Sequence, residues 1–500
     1  MKYRFNIKLI TRFLGMSAML NGIFMLIAIP FSLYYQDGSA GGIGLAGIVT
    51  LVLGFCLSYF NRNAVKTLQT RDGYLIVTLG WLVLSLTGAL PYIFTGSIPN
   101  FTDAFFETIS GYSTTGASIL NDIEAMPKGI LFWRSATHWI GGMGIIVLTV
   151  AILPLLGIGG MQLFMAESPG PSTDKLHPRI TETAKRLWLI YAGLTLAEFF
   201  LLRIAGMTWF DAINHAMATM STGGFSTKNA SIAYYNDIPL IQYIISIFMF
   251  IAGMNFVLTY FGFKGNFKKI ISNEEFRWYA RIVLSFTAIL TICIVWFQDP
   301  NLHSTIDHPE VWGRIESGFR HGLFQVLTII TTTGFVSADF TMWNSVALAL
   351  IFTLFFVGGS AGSTSGGVKV VRQVIMIKHS FLELKKQLHP NAIIPVRYNG
   401  KGVHSNIVYN ILSFFVLYII IVLVSIFVFT VFGLDFISAL GVTISSLGNV
   451  GPGIGTVSPV ENFAHLSMAA KWFSSFLMLI GRLELFTVLI LLTPYFWKKN

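Results

Sequence analysis

A chain of 500 residues that is 54% hydrophobic and only 11% charged has too little polar surface to cover a soluble globule of its size. Its formal charge of +10 does not point to nucleic acid, because the lysines and arginines alternate with apolar runs instead of gathering on one groove. The composition calls for lipid as the solvent.

In chain order, ten apolar segments are long enough to cross a hydrocarbon core of about 30 Å as helices. They lie near 13–35, 41–61, 74–95, 131–156, 187–206, 238–263, 282–298, 343–373, 407–433 and 471–497. Helices are expected because a β-barrel would read as short alternating segments. The opening MKYRFNIKLITRF and the apolar run after it read as an uncleaved first span, since a second span follows at once. Cys56 and Cys293 both fall inside spans, which predicts packing roles and no disulfide framework.

Basic clusters at Lys2 to Arg12, Arg62 to Arg71, Lys175 to Arg186, Lys264 to Arg281, Lys369 to Lys401 and Lys498 to Lys499 fall on one side if the spans alternate. Positive charge retained on the cytoplasmic side then predicts that both termini are inside. The opposite face carries Asp103, Asp122, Glu124, Asp211, Asp237, Asp299, Asp307, Glu310 and Asp435, an acidic mouth that would concentrate cations.

Four connections on that acidic face share a pattern. They read AFFETISGYSTTGAS from Ala104, AINHAMATMSTGGFS from Ala212, GLFQVLTIITTTGFV from Gly322 and ALGVTISSLGNVGPG from Ala439. In each, a glycine falls twelve positions after the first residue: Gly116, Gly224, Gly334 and Gly451. Internal similarity of this kind fixes architecture more firmly than any single motif. About ten helical residues span only about 15 Å, so each segment is expected to enter, stop and return as a re-entrant loop, which is tolerated only inside protein or beside water.

The tripeptides closing the pattern are Thr114-Thr115-Gly116, Thr222-Gly223-Gly224, Thr332-Thr333-Gly334 and Asn449-Val450-Gly451. They resemble the T-V-G of potassium-channel filters, though none is a strict T-V-G and only the fourth repeat, through Gly453, supplies the second glycine of the full T-V-G-Y-G pattern, two positions after the first. Glycine allows successive carbonyls to point inward, and the threonine or asparagine at the first position can add a side-chain oxygen. The competing reading of one such cluster is a helix C-cap; four copies in one pattern favour the filter. After each filter comes a span carrying a glycine partway along, Gly142, Gly253, Gly359 and Gly481, so the unit is helix, half-helix, filter, helix.

In the third unit the span gives way to GGSAGSTSGG at 358–367, a stretch with little helix propensity and with hydroxyls to satisfy freed backbone groups. Such an element is a gate candidate. Arg482 follows the fourth unit's glycine, where a guanidinium is costly in lipid and is expected to face the pore interior and meet loop carbonyls. Its competing reading is an ion pair with Glu484 or Glu198.

Other motifs lead nowhere. GIGLAG at Gly42 to Gly47 follows no strand, and GSTSGGVK lacks the lysine spacing of a phosphate loop. The ten histidines, among them His138, His215, His303 and His308, show no metal spacing. Glu198 alone is weak evidence for a proton relay. No nucleophile and base pair or metal cluster suited to a membrane-embedded enzyme is present.

The segments DAFFETISGYSTTGA, HWIGGMGIIVLTVAILPLLGIGGMQLF, ESPGP, HPRITETAK, GSAGSTSGGVKV, LHPNA, NVGPG and GRLELFTVL resemble the Trk/Ktr/HKT potassium-transporter superfamily, most closely its TrkH branch, over nearly the whole chain. The resemblance implies an all-α integral membrane protein of four pseudo-repeated units around one pore, with two extra N-terminal transmembrane helices. The boundaries that follow are 1–65 for the N-terminal pair, then 66–173, 174–270, 271–395 and 396–500 for the repeats.

It further implies K⁺ bound at Thr114, Thr115, Gly116, Thr222, Gly223, Gly224, Thr332, Thr333, Gly334, Asn449, Val450 and Gly451, with no organic cofactor. A gate is implied at Gly358, Gly359, Gly362, Ser363, Gly366 and Gly367 with Arg482. The implied setting is K⁺ uptake across a bacterial inner membrane by a homodimer regulated by cytosolic TrkA-like nucleotide-binding subunits. Na⁺- or H⁺-coupled symport and a less selective monovalent cation channel stay open as alternatives.

Overall fold

The computed structural model describes residues 5–65, 69–156, 180–297, 306–389 and 394–498. Lys2, Lys175, Asp299, His303, Lys499 and the segment 167–171 lie outside the described residues.

Among the described residues six helices are long and apolar enough to cross a membrane, or up to eight spans if two sharply bent helix pairs are each counted as one. The six include Ala40–Phe60, Glu274–Phe297 and Ser405–Val431. Their outward residues, such as Ile419, Leu423 and Phe427, are large, apolar and exposed, the inverse of a water-soluble surface. Apart from one small antiparallel hairpin, Arg397–Tyr398 with Lys401–Gly402, the regular structure among the described residues is helical.

Four of the ten expected spans are interrupted: the break within 343–373 was expected from its glycine and serine, whereas those within 131–156, 238–263 and 471–497 were not. Segment 131–156 falls on Lys128–Leu156, whose helical angles break at Gly144 with φ 61° and ψ −174°. Segment 238–263 is Pro239–Ala252 followed by Phe256–Phe263, bent by 110°. Segment 343–373 holds Ser345–Leu354, an irregular loop, and the start of Val370–Leu388. Segment 471–497 begins with Met468–Arg482 and turns by 112° after Glu484 and Leu485, both in the left-handed region. Backbone groups freed at each break need new partners, and kinks of this size have such local causes.

At the N-terminus, Ile7–Ile27 and Ala40–Phe60 pack backbone against backbone. A Cβ built on Gly15 would lie 2.6 Å from the Gly54 carbonyl oxygen, and one on Gly22 would lie 2.8 Å from that of Gly47. Small residues at an interhelical seam are what lipid solvent favours, because apolar burial alone gives no drive there. The pair is pinned to the rest of the protein by buried Asn21, whose amide donates to Thr87 Oγ1 at 2.8 Å and accepts from the Tyr112 hydroxyl at 2.5 Å.

Four short helices stop inside the protein: Phe101–Tyr112, Trp209–Met220, Arg314–Ile330 and Phe436–Gly448. Asn100, Thr208 and Asp435 cap three of their starts by accepting backbone N–H groups, while the third helix starts after Gly313. One apolar core joins the N-terminal pair to residues such as Phe106, Trp133, Phe429 and Met478, and a second gathers Leu202, Met249, Phe324 and Ile351. The ends of the four short helices are shared among these clusters, Tyr112 and Leu447 in the first, Ile330 in the second and Met220 in a third.

Candidate cation site and the loop beneath it

Each short helix ends in the same backbone shape. Thr114, Thr222, Thr332 and Asn449 all have φ between 51° and 55°, and Gly116, Gly224, Gly334 and Gly451 have φ of 82°, 80°, 79° and 99°. The residue between them returns its N–H to a carbonyl five positions back. These bonds are Thr115 to Ser110 at 2.9 Å, Gly223 to Ala218 at 2.8 Å, Thr333 to Thr328 at 2.8 Å and Val450 to Ser445 at 3.0 Å. This is the bonding of a helix-ending left-handed cap, so the cap reading and the filter reading describe the same atoms. A β-branched threonine is a true outlier in that region, with a cost of about 1–3 kcal/mol that the surrounding packing must offset.

The four ends form a closed cycle. A Cβ on Gly116 would overlap the carbonyl oxygen of Gly223, one on Gly224 that of Thr333, and one on Gly334 that of Val450. One on Gly451 would lie 2.6 Å from the carbonyl oxygen of Thr115, which returns the chain of contacts to the first unit. Thr114, Thr115, Thr222, Thr332, Thr333, Asn449 and Val450 are all buried. All twelve tripeptide residues predicted from sequence are therefore brought to one place.

The first-position side chains do not supply a uniform ring of oxygens. Thr114 Oγ1 is buried with no hydrogen-bond partner among the described residues. The Thr222 hydroxyl donates to the Ser221 carbonyl at 2.6 Å, and Thr332 Oγ1 accepts the Gly366 N–H at 2.6 Å. The Asn449 amide turns away to donate to Thr115 Oγ1 and to the Met478 carbonyl, each at 2.9 Å. Identical backbone thus carries four different side-chain environments, because what lies beneath each position differs.

What lies beneath is the loop 355–369. Its two limbs are tied together by Gly358 N–H to Val368 O at 2.8 Å and Val370 N–H to Gly359 O at 3.1 Å. Ser360 N–H donates to Gly253 O at 2.9 Å, and Gly362 O accepts from Phe256 N–H at 3.1 Å. The loop thereby satisfies the groups freed where Pro239–Ala252 breaks.

Ser363 Oγ donates to Ser360 O at 2.7 Å and shares a 2.6 Å bond with Ser365 Oγ, so hydroxyls substitute for helical bonding as the composition predicts. Thr364 Oγ1 donates to Met220 O at 3.0 Å, at the end of the second short helix. A Cβ on Gly366 would fall 2.9 Å from both Asn449 Cβ and Gly448 O, and Gly362 and Gly367 carry φ of 72° and 66°. Only a chain without side chains at these points fits against the ring.

Arg482 closes the arrangement. Its Nη1 donates to Thr364 O at 2.8 Å, and its Nη2 donates to Gly141 O at 2.6 Å and Gly142 O at 3.0 Å. The guanidinium thus joins the loop to carbonyls beside the Gly144 break. The alternative pairing with Glu484 is not what forms: that carboxylate is engaged by Arg372. Glu198 is buried in Ile180–Ile204.

Two residues were not singled out from sequence. Lys369, counted there as the start of a basic cytoplasmic cluster, is buried, with Nζ bonded to the Ser365 carbonyl and 3.5 Å from that of Gly366. Glu275 is buried and accepts the Ala361 N–H at 2.7 Å. A lysine next to a glycine-rich run and an acid at a span entrance were the available signals, and neither reports a partner so far away in the chain.

On the outer side, several carboxylates expected to form an open acidic mouth are consumed by structure. Asp103 pairs with Lys471 at 2.7 Å, Asp211 binds Thr227 Oγ1 at 2.5 Å and the Tyr235 hydroxyl at 3.0 Å, and Asp435 caps a helix. Asp122 stays exposed, and the Asn229 amide holds its carboxyl below the usual carboxylate range. His138 stacks on Phe225 with ring centroids 3.9 Å apart, and His215 bonds Ser226, so both serve packing. Among the described residues no group of three or more His, Cys, Asp or Glu is placed to hold a metal ion.

Glu107, on the first short helix, and Arg134 form a fully buried pair at 2.6 Å. Glu107 also accepts Ile119 N–H at 2.9 Å, and Arg134 donates to Ser226 O at 3.0 Å and lies 3.5 Å over the Phe225 ring. The pair ties together the segments that follow the first and second tripeptides. Removing one partner leaves an uncompensated buried charge, so Glu107→Ala is expected to destabilise the protein by about 3–5 kcal/mol. The check is a drop in the thermal midpoint of the detergent-solubilised protein, with Glu107→Ala aggregating well below wild type; an unchanged midpoint would refute the pair's role.

An all-helical membrane protein with several apolar spans, bent helix pairs and short helices that stop inside the protein is the class this fold defines. The family model for TrkH, described as cation transport protein, matches residues 43–499. The Trk system potassium uptake protein TrkH of Salmonella typhimurium is 41% identical, covering 98% of this chain and 99% of that protein. TrkG of the same system in Escherichia coli is 33% identical, covering 99% of both. The crystal structure of the potassium transporter TrkH from Vibrio parahaemolyticus superposes with a TM-score of 0.86 at 36% identity, covering 98% of this chain and 100% of that one. The chain belongs to the TrkH family of cation transport proteins.

Proposed function

We propose that this protein takes up K⁺ across a bacterial inner membrane through a gated, channel-like pore. Its four units span 66–173, 174–270, 271–395 and 396–500, and the N-terminal pair 1–65 lies outside the pore. The observation that carries the reading is the closed cycle of filter glycines against neighbouring filter carbonyls, from Gly116 to Gly223, Gly224 to Thr333, Gly334 to Val450 and Gly451 to Thr115. Carbonyls gathered at one level replace the water around a dehydrated cation. The four helix C-termini aimed at the same point add partial negative charge. K⁺ is substrate here, held by the three residues of each tripeptide.

The loop at 358–367 is the gate in this reading. It lies against the second, third and fourth filter segments at once and contacts the first unit through Arg482, so cation passage requires it to leave. The ammonium of Lys369 and the guanidinium of Arg482 add fixed positive charge beneath the filter, which opposes a cation while the loop is in place. The similarity to relatives named as Trk system potassium uptake proteins supports K⁺ as the ion. A homodimer controlled by cytosolic nucleotide-binding subunits of the TrkA type, docked on the basic cytoplasmic face, completes the proposal.

The test is flux in proteoliposomes with K⁺, Na⁺ and pH gradients varied separately. Uptake of ⁸⁶Rb⁺ is expected to follow the K⁺ gradient alone and to be suppressed by K⁺ more than by Na⁺. A strict requirement for an inward Na⁺ or H⁺ gradient would convert the reading to symport, and equal suppression by both ions would make it a non-selective channel.

A further inference from the structure

We propose that Thr332 serves two masters in turn: its hydroxyl latches the loop to the filter when the pore is shut and becomes a ligand for the cation once the loop has gone. This inference rests on the reading of the four tripeptides as a cation filter, and goes beyond it by assigning one residue to both filter and gate.

The case starts from the unequal first positions. With one backbone shape repeated four times, the side chains at Thr114, Thr222 and Thr332 would be equivalent if nothing else touched them, and Asn449 would offer an amide at the same point. Thr222 is occupied by its own chain, and Asn449 is turned toward Thr115 and Met478. Thr114 Oγ1 stays unpartnered among the described residues although fully buried. Among these four side chains, and among the described residues, only that of Thr332 is hydrogen-bonded by the loop, through Gly366 N–H at 2.6 Å. Gly367 lies against the same residue, where a Cβ would be 3.4 Å from Thr332 Cγ2.

An N–H donor and a monovalent cation seek the same lone pairs of a hydroxyl oxygen. The Gly366 N–H therefore occupies one of the two lone-pair positions of Thr332 Oγ1 and competes with a cation for that oxygen. Closing the loop withdraws one oxygen from the inner end of the filter, and a cation resident there opposes closure. Linkage makes the effect reciprocal: whatever stabilises the open loop tightens the inner cation site, and inner-site occupancy favours the open loop. Thr331 supports the device from behind, since its hydroxyl bonds both Leu327 O and Thr333 Oγ1 at 2.7 Å and steadies the neighbouring filter residue.

The experiment uses the full-length protein in proteoliposomes. Thr332→Val keeps the branched shape and removes the acceptor, so basal ⁸⁶Rb⁺ flux is expected to rise about fivefold, the shift that one net hydrogen bond of about 1 kcal/mol supports. Compared with Gly366→Ala, which loosens the loop and keeps the hydroxyl, the same variant should show a higher Rb⁺ concentration for half-maximal flux, because its open pore has lost an inner ligand. Thr332→Ser restores the hydroxyl and should return both quantities toward wild type.

Wild-type basal flux in Thr332→Val overturns the latch, and raised flux with a half-maximal concentration no higher than that of Gly366→Ala overturns the ligand role. Loss of K⁺ over Na⁺ discrimination in wild type itself would instead remove the filter reading on which both rest. A Thr332→Val protein that fails to elute as a monodisperse species is replaced by Gly366→Ala, which crowds Asn449 and Gly448 and should raise basal flux without changing the inner ligand; unchanged flux in that variant also refutes the latch.

Discussion

Gly334→Ser will abolish K⁺-selective uptake while leaving a folded protein in the membrane. Gly334 has φ of 79°, a region that costs a side-chain-bearing residue about 1–2 kcal/mol, and a Cβ there would overlap the Val450 carbonyl oxygen and sit 3.0 Å from Pro452 Cδ. The added atom has to displace a carbonyl of the neighbouring unit, so the lesion reaches two of the four filter segments. Misplacing one carbonyl by enough to lose 1.4 kcal/mol of discrimination is about a tenfold loss of selectivity. Uptake of ⁸⁶Rb⁺ and ²²Na⁺ compared in one preparation measures it, with elution volume as the control for folding. A Gly334→Ser protein with wild-type selectivity would falsify the filter assignment.

Arg482→Ala is expected to raise basal flux by at least about tenfold, because charge-assisted hydrogen bonds contribute about 1.5–3 kcal/mol each. Three such bonds, to Thr364, Gly141 and Gly142, join the loop to the first unit through this one side chain. The variant loses the tether and also a fixed positive charge beneath the filter. Arg482→Lys keeps the charge and loses the planar fork, so its flux should fall between the two. Wild-type flux in Arg482→Ala, with the protein intact on size exclusion, would remove Arg482 from the barrier.

Much of the candidate site was legible because it depends on short stretches of chain. Left-handed backbone at Gly116, Gly224, Gly334 and Gly451 needs only glycine, and a shared spacing of twelve residues announces a shared shape. The stretch 358–367 declares its irregularity through missing helix propensity. Left-handed threonines at 114, 222 and 332 were not legible, because threonine resists that region and only the surrounding packing forces it. The partner of Arg482 was half legible: loop carbonyls were expected, whereas the bond to Gly141 crosses 341 residues of sequence. Lys369 was counted with an exposed basic cluster although it is buried, because burial is a property of neighbours. The mouth carboxylates Asp103 and Asp211 were counted as open for the same reason.

By itself the sequence determined that the chain lives in lipid, that four short helices end in glycine-permitted turns, and that one span dissolves into glycine and serine. Each of these follows from solvation or backbone preference within a few residues. Only the tertiary structure decided which carbonyl each filter glycine faces, which of four equivalent side chains meets the loop, and where Arg482 and Lys369 direct their charge. Those outcomes depend on helices brought together across hundreds of residues, where steric fit and the need to satisfy every buried polar group select one arrangement.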